Sequence, residues 1–141
     1  MDSRSIRITS KIVDRMTQHA LTSNPRECCG LLSGNGRLIS GIYPLRNEAD
    51  QPHTRYFASP EDLMAAMRNI RESGRRMMGI YHSHPRKAAY PSPSDVDMAF
   101  YPEAYYFIIS LEPSIDVRAF TIDRRGIGDV AYHVADSAVA D

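Results

Sequence analysis

The chain carries no excess charge of either sign: 17 basic residues balance 17 acidic ones over 141 residues. A nucleic-acid binder needs a basic surface to neutralise phosphates, so that class is disfavoured, whereas a protein partner is not. No apolar run approaches the roughly 20 residues that cross a bilayer. The opening Met1-Asp2-Ser3-Arg4-Ser5-Ile6-Arg7 lacks the apolar centre of a secretory signal, so the cytoplasm is the expected compartment. Cysteine is scarce. Cys28 and Cys29 are adjacent and cannot build an ordinary disulfide framework. On a strand they face opposite sides and make a poor chelating pair. Two buried small hydrophobes in a reducing compartment are the plain expectation; one thiol tuning a nearby site on oxidation is the alternative. Repeats and low-complexity segments are also lacking. What remains, 43% hydrophobic and 24% charged, is the composition of a globular protein. Residues 1–141 are long enough for one domain with a real core.

Local patterns supply the elements. Thr9 or Ser10 caps a first helix running to about Thr22, with Ile12, Val13, Met16, Ala20 and Leu21 at helical spacing on its buried face. Asn24-Pro25 ends it. Strands are predicted over 27–33 and 37–44, joined by Gly34-Asn35-Gly36, a hairpin signal. Residues 47–54 are polar and predict a loop. Ser59-Pro60-Glu61-Asp62 opens a second helix with Leu63, Met64, Met67 and Ile70 on its apolar face and Gly74 at its end. The apolar run from Met77 to Tyr81 predicts a buried strand, with Met77 and Met78 on its two faces. A short third helix follows, then strands over 105–111 and 115–122 and a short closing strand over 130–134. Interleaved helices and hairpin-linked strands predict an α+β (mixed α/β) fold.

His82-Ser83-His84-Pro85 closes the buried strand. Side chains alternate along a strand, so His82 and His84 project together, as two imidazoles sharing a metal ion must. Pro85 has no N–H to continue the ladder. Beyond the six residues that follow Pro85, Ser92-Pro93-Ser94-Asp95 has the form of a helix start, with Ser at the N-cap, Pro at N1 and an acid at N3. Asp95 and Ser92 therefore have a plain reading as caps. Two neutral imidazoles and a carboxylate are also the protein ligands of a hydrolytic zinc site, and a carboxylate held on a first helical turn can serve both purposes. Asp97 is a poorer candidate, lying about 200° around the helix from Asp95. Upstream, Glu27 opens the strand of Cys28-Cys29-Gly30-Leu31-Leu32. A lone glutamate there is most simply a solvated strand end, yet metal-assisted hydrolysis needs a general base and a carboxylate can provide it. His19, His53 and His133 lack a ligand-spaced neighbour; His53 lies in the polar loop, where substrate contacts are common. Tyr56 and Tyr90 are candidates for lining a groove.

A glutamate before a Cys-Gly strand, then His-Ser-His-Pro, six residues, Ser, two residues and Asp resembles the JAMM motif of the MPN (Mov34/PAD-1) metalloproteases. Glu27, His82, His84, Ser92 and Asp95 match it position by position, Asn47 sits where these proteins often carry an asparagine, and the resemblance covers nearly the whole chain. It implies a curved mixed sheet flanked by helices, of cytidine-deaminase-like architecture. It implies Zn²⁺ held by His82, His84 and Asp95 with water as fourth ligand, Glu27 moving the proton, and Ser92 donating to the oxyanion. The stretch from Ala89 to Val96 is most similar to small bacterial members acting on ubiquitin-like sulfur-carrier proteins. The implied reaction is hydrolysis of the amide after the carrier's C-terminal Gly-Gly, releasing an amino acid or a C-terminal extension, in sulfur transfer such as cysteine biosynthesis. The implied partner is that carrier, without nucleic acid or membrane; a homodimer is left open. Two alternatives share the fold: a metal-free scaffold module, and a deubiquitinase-like peptidase of broader specificity. Amidohydrolases that use His-x-His on barrels need about 250 residues, which this chain does not have.

Overall fold

A computed structural model describes residues 5–136. In chain order the elements are β1 (Ile6–Thr9), α1 (Ser10–Ser23), β2 (Cys29–Asn35), β3 (Leu38–Leu45), α2 (Pro60–Glu72), β4 (Arg76–His84), α3 (Pro93–Asp97), β5 (Tyr105–Ser110), β6 (Asp116–Asp123), β7 (Gly126–Val130) and β8 (Tyr132–Ala135). All the strands join one sheet in the order β7-β6-β5-β4-β2-β3-β1-β8. β1 runs parallel to β3 and β8, and β4 parallel to β5; the remaining pairs are antiparallel. The expected mixed α/β sheet is therefore present.

The sheet is curled, and its connectivity shows why. β7 and β8 are the two edge strands, yet only Ala131 separates them in the chain. Two consecutive peptide units span at most about 7 Å, so the opposite edges must approach one another. Tyr132 ties the curl together: its hydroxyl donates to the Val117 carbonyl at 2.5 Å, and its ring packs on Phe107 with centroids 5.4 Å apart.

Both faces of the central strands are buried, so β2 and β4 are continuous apolar runs rather than alternating ones. One face meets α1 through Ile12, Met16 and Ala20 and includes Cys28 and Met78. The other meets α2 through Ala66 and Ile70 and includes Cys29, with Met77 packed against it. The adjacent cysteines thus face opposite sides, as strand alternation requires. Both are free, and burial pushes their thiols up, to about 11 for Cys28 and about 12 for Cys29. Reactive thiols need the reverse setting, electropositive and accessible, so the surroundings of the pair are those of buried small hydrophobes.

Three expectations need correcting. Leu21 is 46% and Met64 67% exposed, because each lies at the margin of its helix's apolar stripe and finds no sheet beneath it. β1 adds a strand that the sequence does not predict, since Ile-Arg-Ile-Thr is too short for alternation to register. The closing strand over 130–134 is in fact two strands, β7 and β8, broken at Ala131 where the chain passes from one sheet edge to the other. Among the described residues no helix is long and apolar enough to cross a membrane.

Candidate metal and proton-transfer site

β4 delivers the two histidines. His82 pairs with Cys29 of β2 and His84 with Ser110 of β5, so both backbones are fixed by neighbouring strands. Ser83, between them, points the other way and accepts the Cys28 N–H on its Oγ at 2.8 Å, while its own N–H donates to the Cys28 carbonyl at 3.1 Å. This clamp seats the residues just before β2 against the end of β4, and Glu27 is carried by that segment. One register lower, the Tyr81 ring lies over Gly30, where a Cβ would stand only 2.2 Å from the ring. The Tyr81 hydroxyl is 2.7 Å from His19 Nδ1, tying α1 to β4. Neither contact has a local signal in the sequence, because each joins residues more than fifty positions apart.

The third ligand position comes from α3. Ser92 Oγ accepts the Asp95 N–H at 3.2 Å, and Asp95 Oδ2 accepts the Ser92 N–H at 2.8 Å, a complete capping box. The same Oδ2 lies 3.1 Å from His82 Nε2 and 3.0 Å from His84 Nε2, and the two nitrogens are 3.2 Å apart. The capping and ligating readings of Asp95 are therefore compatible. Zinc bonds of 2.0–2.2 Å in a tetrahedron give ligand–ligand edges of about 3.3 Å, close to these separations. His82, His84 and Asp95 are all buried. Their donor set, spacing and inward aim fit a divalent metal ion.

Burial pushes the Asp95 carboxyl up, but hydrogen bonds from the two imidazoles hold it far below the usual carboxylate range. Burial lowers His82, favouring its neutral form. For His84 burial acts in the same sense, but the Asp95 carboxylate and the Ala88 carbonyl outweigh it and raise the group. His84 Nδ1 is 2.8 Å from the Ala88 carbonyl, which can only accept, so Nδ1 bears a hydrogen and Nε2 is the ring nitrogen that faces Asp95. His82 Nδ1 is buried without a partner, and its ring is held instead by stacking on Tyr56, centroids 4.5 Å apart at 25°.

Glu27 is buried, and neither carboxylate oxygen has a hydrogen-bond partner. Its backbone, by contrast, is pinned on both sides. The N–H donates to the Pro52 carbonyl at 2.7 Å, and the carbonyl accepts from Asn47 Nδ2 at 3.0 Å. Asn47 also accepts the Ala49 and Phe57 N–H groups on Oδ1, so one side chain organises the loop from Asn47 to Phe57 and fastens it to Glu27. Burial pushes the Glu27 carboxyl up to about 7, moderated by the imidazole of His84 and the ammonium of Lys87 and reinforced by Asp95. A carboxylate near neutral in pKa, beside a metal-type ligand set, is matched to taking and giving protons at pH 7. It is not the solvated strand end that its position in the chain suggested.

The remaining candidates separate. Tyr56 joins the site. Tyr90 packs edge-on against Phe120, and His53 lies apart from the ligands, in a cavity with Arg86 and Lys87. Asp97 is exposed on a groove of about 650 Å³ between the loop and α3, with Tyr56, Phe57, Ser94 and Met98.

The class these features define is a JAB-type domain, with its histidines on a central strand and its acid on the next helix. Comparison with known proteins agrees. The family model described as prokaryotic homologs of the JAB domain matches residues 9–123, and the chain belongs to that family. It is 30% identical to the desampylase of Haloferax volcanii over 79% of this chain and 82% of that one. It is 33% identical to the CysO-cysteine peptidase of Mycobacterium tuberculosis over 73% of this chain and 71% of the relative. Among solved structures, protein DSY2949 of Desulfitobacterium hafniense superimposes with a TM-score of 0.84 at 34% identity, covering 93% of each chain.

Proposed function

We propose that this protein is a zinc-dependent peptidase that hydrolyses the amide bond after the C-terminal Gly-Gly of a ubiquitin-like sulfur-carrier protein, releasing an amino acid or a short extension. The observation that carries the reading is Glu27: a buried carboxylate with no partner, beside three converging ligand atoms. Leaving such a group unpaired costs stability, and groups held at that cost cluster at functional sites.

His82, His84 and Asp95 hold the metal. Zinc held by these three residues would supply Lewis acidity toward water and the scissile carbonyl. Glu27 takes the proton of the attacking water and passes it to the departing nitrogen, a role open to a buried carboxylate whose two oxygens have no other partner. Ser92 Oγ accepts the Asp95 N–H at 3.2 Å and lies 3.4 Å from Ser94 Oγ; its one hydroxyl hydrogen turns from that long contact to donate to the oxyanion that forms on the scissile carbonyl. The groove between the loop and α3 takes the carrier's extended tail, where glycines pass a narrow slot. The name of the mycobacterial relative, a peptidase of CysO-cysteine, supports an amino acid as leaving group. Cytoplasmic sulfur transfer, including cysteine biosynthesis, is the setting we assign.

The test pairs metal content with cleavage. Wild-type protein purified without chelator should hold about one zinc and remove the extension from a carrier extended past Gly-Gly, read by intact mass. Asp95→Ala should do neither. Zinc without cleavage would overturn the substrate assignment, and no zinc after reconstitution would overturn the peptidase reading.

A further inference from the structure

Three cavities border the site, and they differ in charge. The groove along α3 carries Glu48, Asp50 and Asp97 against one cation, Arg55. A second, behind Glu27, mixes Arg26 and Arg46 with Glu48 and Asp62, and Arg46 is already engaged by Asp62 through Nε at 3.0 Å and Nη2 at 3.2 Å. The third, about 450 Å³, is lined by Pro25, His53, Thr54, Pro85, Arg86 and Lys87. It contains cations and no carboxylate. Among the described residues neither Arg86 nor Lys87 has an ion-pair partner, although the chain as a whole is neutral.

The position of this third cavity matters as much as its charge. Pro85 directly follows the ligand His84, and Pro25 lies two residues before Glu27. The 85–88 turn is not free to drift, because the Ala88 carbonyl receives the His84 Nδ1 hydrogen at 2.8 Å. Lys87 is held next to that anchor, near enough for its charge to act on both Glu27 and His82. If Glu27 hands its proton to the departing nitrogen, the leaving group must lie on Glu27's side of the metal ligands. The acyl tail then occupies the opposite, α3 side.

We propose that Arg86 and Lys87, with His53 across the cavity, form a leaving-group subsite that binds the α-carboxylate of a single C-terminal amino acid. The inference rests on the peptidase reading above. In the reaction, water adds its oxygen to the Gly carbonyl carbon, the C–N bond breaks, and the nitrogen leaves as an amine carrying a proton from Glu27. The products are the carrier's carboxylate and a free amino acid whose own carboxylate the two cations hold. An internal amide, or an isopeptide on a lysine side chain, presents no α-carboxylate on the residue that follows the scissile bond. The subsite would thus favour removal of one terminal residue over cleavage within a conjugate.

The experiment uses zinc-loaded protein and a ubiquitin-like carrier extended beyond Gly-Gly by one residue. The extension ends in either a free carboxylate or a carboxamide. Wild type should prefer the acid by about tenfold or more in kcat/KM, mainly through KM, as one good charge contact allows. In the double variant Arg86→Gln/Lys87→Gln the acid should lose about tenfold more than the carboxamide. Arg86→Lys/Lys87→Arg should keep the preference. In parallel, the acid conjugate should bind the Glu27→Gln protein more tightly than the carboxamide conjugate does, read by calorimetry. Equal cleavage of both substrates by wild type, or equal losses on both in the double variant, would overturn the subsite and leave the peptidase reading standing. Cleavage of neither would overturn both.

Discussion

Glu27 takes two oxygens into the interior with nothing to satisfy them, and this has a measurable consequence for stability. Its carboxyl, ordinarily near 4.5, is pushed up by burial to about 7. The folded state of the metal-free protein therefore keeps this proton over a range where the unfolded chain has lost it. Stability is highest below the unfolded value and falls as pH rises toward the folded one. Replacing Glu27 with Gln removes the ionisation. In chelated protein the variant should match wild type near pH 4 and exceed it by roughly 3 kcal/mol near pH 8, measured by urea unfolding. The same variant with zinc should retain the metal and lose about a hundredfold or more in turnover. A Glu27→Gln enzyme that cleaved normally would exclude this residue as the proton carrier. Asp95 can be divided in a similar way, because one oxygen both caps α3 and faces the histidines. Asp95→Asn keeps an acceptor for the Ser92 N–H but removes the charge that the two imidazoles face, so it should weaken metal binding and lower metal-free stability at neutral pH while leaving the cap in place. Asp95→Ala should lose the metal and also about 1 kcal/mol of helix capping.

Elements place these residues through contacts that no short window of sequence contains. β4 supplies the histidines because its register against β2 is set, and the Tyr81 ring crossing Gly30 is part of that register. Gly30→Ala would drive a methyl carbon to within 2.2 Å of the ring. The expected result is a loss of about 1–3 kcal/mol in unfolding free energy and weaker zinc retention, since the strand that carries His82 must shift. Wild-type stability in this variant would show that β2 and β4 can separate without disturbing the site. The loop from Asn47 to Phe57 has no regular ladder beyond the single Asn47–Ala58 bridge. It nonetheless holds Tyr56 over His82, because Asn47 satisfies its backbone groups from within.

For the whole molecule, the site is where β2, β4 and α3 meet, so a metal bound there links parts of the chain far apart in sequence. Ligand held by the folded state alone adds about 2.7 kcal/mol at a hundredfold excess over Kd. Chelation of wild type should therefore lower Tm by roughly 10 °C, and chelator should leave Asp95→Ala unmoved. An identical chelator shift in both proteins would place the metal elsewhere. Much of this site was legible from residue order, because its rules are local. Alternation on a strand turns His82 and His84 the same way, and the spacing of a helix start brings Asp95 back to Ser92. The apolar faces of α1 and β4 and the opposed cysteines followed from the same periodicities. Tertiary structure decided what depends on distant pairings: the burial of Glu27, the Ser83–Cys28 clamp, Tyr56 on His82, and β8 closing onto β1 beside β7. Local steric and hydrogen-bonding preferences act within a few residues and are written in the sequence. Desolvation of a carboxylate and closure of a curled sheet depend on which remote segments pack together, and only the folded chain specifies that.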